Sequence, residues 1–263
     1  MDLELNGDAA LVTASSSGLG KASATALARE GANVVINGRD EERLADAKAE
    51  IEAVATGEVV TQSGDLTVAD DLDALVETTV DEFGGLDHLV TSAGGPPSGA
   101  FLETTDDDWY QAFDLLVMSV VRLVRAAEPS LREDGGGTIV NITSRSVKEA
   151  IDSLVLSNAV RMSVIGLEKT LSRELAPEIR VNAVLPGSHE TSRVENLVQA
   201  AVDRGEFDSY EAGMKARGES VPLGRIGDPM ELGDTVAYLC SDRAGYINGQ
   251  SIVLDGGSGN ANL

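Results

Sequence analysis

Short apolar runs alternate with amphipathic stretches along the whole chain, and this alternation leaves few folds open. The runs fall near residues 8–13 and at Asn33–Asn37, Val59–Ser63, Leu86–Thr91, Thr138–Thr143, Arg180–Leu185 and Ser251–Leu254. They have the length of buried strands, whereas the stretches near 18–30 and 41–55 carry helical periodicity. Successive strands joined through helices favour parallel pairing with right-handed crossovers, so the rhythm predicts an α/β, doubly wound parallel sheet with helices on both faces. Asp107–Arg125 and Asp152–Leu175 read as long helices, and the acidic segment Ser192–Val221 reads as helical with breaks at Gly205, Gly213 and Gly218. No repeat, low-complexity tract or interior linker interrupts the 263 residues, which fits a single domain over 1–263.

Charge narrows the partners. Asp and Glu number 44 against 20 Lys and Arg, a formal net charge of −24. A surface of that sign excludes nucleic acid, whose phosphates need clustered cations. Lysine is confined to Lys21, Lys48, Lys148, Lys169 and Lys215, and the carboxylates are dispersed rather than gathered in a tail. Such a coat suits a salt-rich, cytoplasmic setting where screening removes self-repulsion, so a halophilic source is expected. No apolar run is long enough to cross a bilayer, so no membrane partner is expected. The lone Cys240 ends the apolar stretch from Val236 and reads as a packed thiol, with no metal site anywhere.

The segment Thr13-Ala14-Ser15-Ser16-Ser17-Gly18-Leu19-Gly20 follows the first strand and opens the first helix, where backbone N–H groups and the helix dipole favour a pyrophosphate. The second strand ends at Asn37-Gly38-Arg39 with no acid before Asp40; Arg39 could pair with a 2′-phosphate, which favours NADP over NAD. Together with Thr91-Ser92-Ala93-Gly94, the pair Pro186-Gly187 with Thr191, and Leu254-Asp255-Gly256-Gly257, these motifs resemble the short-chain dehydrogenase/reductase family over nearly the whole chain. The resemblance implies a Rossmann-type sheet of seven strands and an NADP cofactor, with NAD possible. It implies cofactor contacts at Thr13, Ser15, Ser17, Gly18, Leu19, Gly20, Arg39, Asp65, Leu66, Ala93, Gly94, Pro186, Gly187 and Thr191. Asp65 matches an adenine-binding aspartate and could equally cap the next helix. Ala14 replaces the motif's first glycine, which is tolerable at negative φ and costly otherwise.

The resemblance also implies a catalytic serine at Ser144, a substrate lid at about 188–222, and a small-molecule carbonyl or alcohol substrate. Where the family carries Tyr-x-x-x-Lys, thirteen residues after that serine, this chain reads Ser157-Asn158-Ala159-Val160-Arg161. The spacing of four keeps Ser157 and Arg161 on one helical face, but a serine hydroxyl is a far weaker acid than a phenol, and Arg161 stays charged. The family's asparagine falls at Leu116. Lys148 and His189 are candidates for the missing acid, and Arg145, Lys148 and Arg161 could make the pocket anion-friendly. His88 reads as a packing residue at a strand start. Glu168, Arg173 and Glu174, with Asn248-Gly249-Gln250, resemble surfaces by which family members form a homo-oligomer, a dimer or tetramer. Two readings follow: an oxidoreductase with an altered tetrad, or a catalytically impaired nucleotide-binding protein with a sensing or assembly role.

Overall fold

The computed structural model describes residues 2–133 and 135–261. Seven parallel strands form one sheet: β1 (Ala9–Val12), β2 (Asn33–Gly38), β3 (Val59–Ser63), β4 (His88–Thr91), β5 (Gly137–Ile142), β6 (Ile179–Pro186) and β7 (Ser251–Leu254). Their order is β3-β2-β1-β4-β5-β6-β7, so the chain winds outward from β1 and then restarts beside it at β4. Val12 of β1 lies opposite both Ile36 and Val90. The crevice between the carboxyl ends of β1 and β4 is the topological switch point, where such sheets take ligands.

The sheet is apolar on both faces because helices cover both. Ala10 and Val12 point to one face, and Leu11 between them points to the other. On the first face pack α1 (Gly18–Arg29), α2 (Glu41–Glu52) and α9 (Pro229–Cys240), through Leu27, Ile51 and Leu232 among others. On the second lie α3 (Ala69–Phe83), α5 (Ser119–Leu131) and α6 (Val155–Glu174), through Leu75, Leu123 and Val160. A Cβ on Gly233 would stand 2.4 Å from the Ala22 carbonyl oxygen, so the close contact of α9 with α1 requires glycine there. Cys240 is buried at the end of α9, and burial pushes its thiol up to about 12, which makes it inert.

Three expected segments differ in detail. The helix expected at Asp107–Arg125 is α4 (Asp106–Phe113), one wider turn at Asp114–Met118, then α5. The helix expected from Asp152 starts at Val155, because Ser153 takes φ +58 and the Asn158 amide holds Ile151 through both its backbone N–H and its carbonyl. The acidic segment from Ser192 folds as α7 (Ser192–Asp203) and α8 (Tyr210–Glu219), broken at Gly205, where φ is +75, whereas Gly213 and Gly218, expected as breaks, lie buried within α8.

Glu168 is not on a surface. It is buried, accepts a hydrogen bond from Ser251 Oγ at 3.1 Å, and burial raises its pKa. The 248–250 segment is likewise tied to α6 within the chain, since Asn248 Nδ2 donates to Ser172 O and Lys169 Nζ donates to Gly249 O, both at 2.8 Å. Among the described residues no helix is long and apolar enough to cross a membrane.

Candidate functional site

At the switch point the strand ends and the loops after them enclose a cavity of about 1030 Å³. One end is built by the turn between β1 and α1. Ser17 is the N-cap residue of α1, yet its side chain accepts no hydrogen bond from the first turn. The helix therefore presents its first N–H groups toward the cleft, which is an anion site by construction. Ser17, Gly18, Leu19 and Gly20 all line it. Gly18 has φ +58, and a Cβ on Gly20 would stand 2.4 Å from the Ala14 carbonyl oxygen. Ala14 itself sits at φ +46, the costly branch of the expectation for that position.

Two residues expected at the cofactor do not face it. Thr13 Oγ1 donates to Ser92 O at 2.7 Å and accepts from Ser92 N at 2.9 Å. Ser15 Oγ donates to Val12 O at 2.6 Å and accepts from Asn37 N at 2.8 Å. Both are fully buried and fasten the turn to the neighbouring strands. Asn37, unremarked in the sequence, does the same, taking the Ala14 N–H on Oδ1 at 3.2 Å. Unlike them it also lines the cavity, and as an amide it leaves the β2 end without an acid aimed at a ribose.

Farther along this end lie Arg39, Asp65 and Leu66. Asp65 accepts from both the backbone and the hydroxyl of Thr67, and these bonds, chiefly, lower its pKa. Arg39 stands 3.5 Å from its other oxygen and is 79% exposed at the side chain, so it can turn to a ligand. Arg43 lines the cleft beside it. Sequence reasoning passed over Arg43, although its place in the first turn of α2, where Asp40 caps its N–H at 3.0 Å, aims it at the same crevice.

The other end holds Ala93, Gly94, Ser144, Ser157, Arg161 and the Pro186–Thr191 loop. Ser144 Oγ accepts from Ser146 N at 3.1 Å, and the Ser146 and Ser157 hydroxyls share a hydrogen bond of 3.2 Å. Ser146, which the sequence did not single out, joins the two because the single helical turn Arg145–Val147 brings it back over α6. Arg161 is buried and donates from Nη2 to Gly94 O at 3.4 Å. Leu116 is buried in the core, and Leu115 faces the cleft in its place.

Lys148 is not brought to the site: it is exposed, does not line the cavity, and acts electrostatically on Glu168 instead. Its position four residues past Ser144 carries it beyond a one-turn helix that ends at Val147. His189 does line the cavity, but burial lowers its pKa, and its Nδ1 stands 3.5 Å from Gly187 O. His88 is buried between Thr138 Oγ1 and Asp8 Oδ2, at 2.9 and 3.0 Å, as a packing residue. Among the described residues no group of side chains could hold a metal ion.

The residues present fit a dinucleotide: an uncapped helix start for a pyrophosphate, small residues at Gly18, Ala93 and Gly94 where a ring system must approach, and two cations where a 2′-phosphate would lie. Comparison with known proteins agrees. A family model described as enoyl-(acyl carrier protein) reductase matches residues 13–259. Dehydrogenase/reductase SDR family member 4 of Homo sapiens is 33% identical over 254 residues, covering 95% of this chain and 86% of the human protein. The 3-oxoacyl-[acyl-carrier-protein] reductase of Synechocystis is 33% identical over 255 residues, 96% of this chain and 97% of that protein. Among solved structures, L-sorbose reductase of Gluconobacter frateurii complexed with NADPH and L-sorbose superposes with a TM-score of 0.94 at 31% identity, covering 99% of this chain and all of that one. Actinorhodin polyketide ketoreductase with NADPH gives a TM-score of 0.89 at 32% identity, over 96% of this chain and 97% of that chain.

Proposed function

The chain belongs to the short-chain dehydrogenase/reductase family, and from its cleft we propose that it is an NADP-dependent oxidoreductase interconverting a carbonyl and a secondary alcohol. The observation that carries this reading is the continuity of one cavity from the uncapped start of α1 to the Ser144, Ser157 and Arg161 cluster. The cofactor, when bound, supplies or accepts the hydride. Gly18 to Gly20 would hold its pyrophosphate and Arg39 and Arg43 its 2′-phosphate, with Thr191, which lies near Gly18, beside it.

The chain's own groups do the rest. Ser144 and Ser157 orient the substrate carbonyl by donating hydrogen bonds to its oxygen, while Ser146 keeps the Ser157 hydroxyl in one rotamer. Arg161, charged and buried, stabilises the negative charge that grows on that oxygen during reduction. Burial lowers the His189 pKa, which disfavours it as the proton donor, and on this reading the proton is drawn from water in the cleft. Helices α7 and α8 act as the substrate lid over 188–222. The exposed Phe101 and Leu102 before α4 and Tyr110 on it support a homo-oligomer. The acidic coat supports a salt-rich cytoplasm.

The replaced tyrosine and the buried Leu116 favour a second reading, a nucleotide-binding protein with no turnover. The two separate when NADPH oxidation and NADP reduction are followed in multimolar KCl over a carbonyl and alcohol panel, for the native chain and for Ser157→Tyr/Arg161→Lys. Turnover by the native chain is expected. Turnover by the double variant alone would sink the enzyme reading.

A further inference from the structure

The substrate end of the cleft is cationic in a protein whose surface is acidic. Its lining carries Arg145, Arg161 and Arg217; the acids that line the cavity, Asp40 and Asp65, stand at the opposite end beside Arg39. Arg217 comes from α8 and is half-buried. Its Nε is buried without a hydrogen-bond partner, and among the described residues no carboxylate lies within ion-pair distance of its guanidinium. A buried charged donor left unmade is costly unless a ligand completes it. Burial, chiefly, lowers the Arg217 pKa, and the charge that acts on it in the same direction is a like one, from Arg145. Arg145 meets a carboxylate only at 3.8 Å, and that group, Glu149, already accepts two hydrogen bonds from Asn260, at 3.0 and 2.8 Å.

We propose that Arg145 and Arg217 form a carboxylate-binding subsite at the substrate end of the cleft, so that the compound interconverted there is an oxo acid and its hydroxy acid. The proposal rests on the oxidoreductase reading for its carbonyl and stands on its own for its anion. Two guanidiniums from different elements, one on the loop after β5 and one on the lid, bracket a planar carboxylate by paired hydrogen bonds. Binding the anion also removes the repulsion between them, so the ligand draws α8 onto the cleft. The carbonyl then falls beside Ser144, the residue before Arg145 in the chain.

The test measures binding apart from turnover. Benzoate and its neutral isostere benzamide are titrated calorimetrically into the protein saturated with NADP, at one fixed ionic strength, and NADPH alone is titrated by its fluorescence. Benzoate is expected to bind about tenfold or more tighter than benzamide, and Arg217→Gln to erase the difference. NADPH affinity should stay within about twofold in that variant. Arg145→Gln, on a different element, is expected to give the same loss, and it decides the point if Arg217→Gln unsettles α8. Equal binding of benzoate and benzamide by the native protein, or undiminished preference in both variants, overturns the subsite. Tighter binding of phenyl phosphate than of benzoate overturns the choice of carboxylate. Failure of NADPH to bind defeats the oxidoreductase reading instead, and the benzoate titration on the cofactor-free protein still decides the subsite.

Discussion

Ala14 shows how one methyl group in the nucleotide turn can be priced physically. At φ +46 it occupies a region where an L side chain costs about 1–2 kcal/mol, and it is held there by Asn37. Ala14→Gly is therefore expected to raise stability by about 1 kcal/mol in denaturant titration, an increase tempered by the freer unfolded chain; an unchanged midpoint would mean that the turn relaxes in solution. His189 gives a prediction with a sign. Its folded pKa lies below the ordinary 6.5 because the ring is buried, so the unfolded chain binds the extra proton first. The stability it contributes is complete above about pH 6.5 and is lost as pH falls from there toward the folded value. His189→Gln should flatten the fall in Tm between neutral and mildly acid pH, and a parallel fall in both proteins would assign that slope to other groups. The candidate site was legible where spacing alone decides it: Ser157 and Arg161 share a helical face, and the glycines follow a strand. It was illegible at Ser146 and Lys148, whose directions depend on a single turn of helix that no periodicity reveals, and at Arg217, whose neighbour Arg145 is distant in sequence.

Caps rather than propensity decide where several of these helices begin and end. Asp228 and Glu231 form a capping box at the start of α9, with Pro229 in its first turn. The Arg225 guanidinium, bonded to both Glu231 oxygens at 2.8 and 2.6 Å, holds that carboxyl down to about 2. At the other end of α9, Arg180 reaches from β6 to donate to the carbonyls of Leu239 at 2.9 Å and Ser241 at 3.0 Å, groups with no intrahelical partner. Arg180→Met should cost about 2–3 kcal/mol, because several charged hydrogen bonds and a favourable dipole contact vanish together. The check is the urea midpoint with an unchanged m-value; a loss under about half a kcal/mol would mean that water replaces the cap. The inner strands β1 and β4 were readable because burial on both faces gives short apolar runs, while the edge strands β3 and β7, only partly buried, were read from their β-branched residues. Helices α3 and α9 were not singled out. The first mixes β-branched residues with acids, and the second is buried on most sides, which erases the amphipathic signal; Gly233 is explained only by its contact with α1.

The whole molecule separates its charges. Acidic side chains occupy the first turns of α2, α3, α4, α7, α8 and α9, where they complement the helix dipoles. Exposed carboxylates elsewhere help to bring the net charge to −24, while five arginines line the cleft against two acids, Asp40 and Asp65. Salt should act on these two regions in opposite directions. Raising KCl from about 0.1 to about 1 M shortens the screening length from about 10 to about 3 Å, which relieves repulsion across the exterior and raises Tm. The same screening weakens the attraction of a phosphate-bearing cofactor to Arg39 and Arg43, so the Kd for NADPH rises over that range. The rise in Kd should be smaller for NADH, which lacks the 2′-phosphate. If Tm is flat over this range, the acidic coat is not an adaptation to salt. If the two cofactors weaken equally, Arg39 and Arg43 do not read the 2′-phosphate, and the proposed preference for NADP loses its basis.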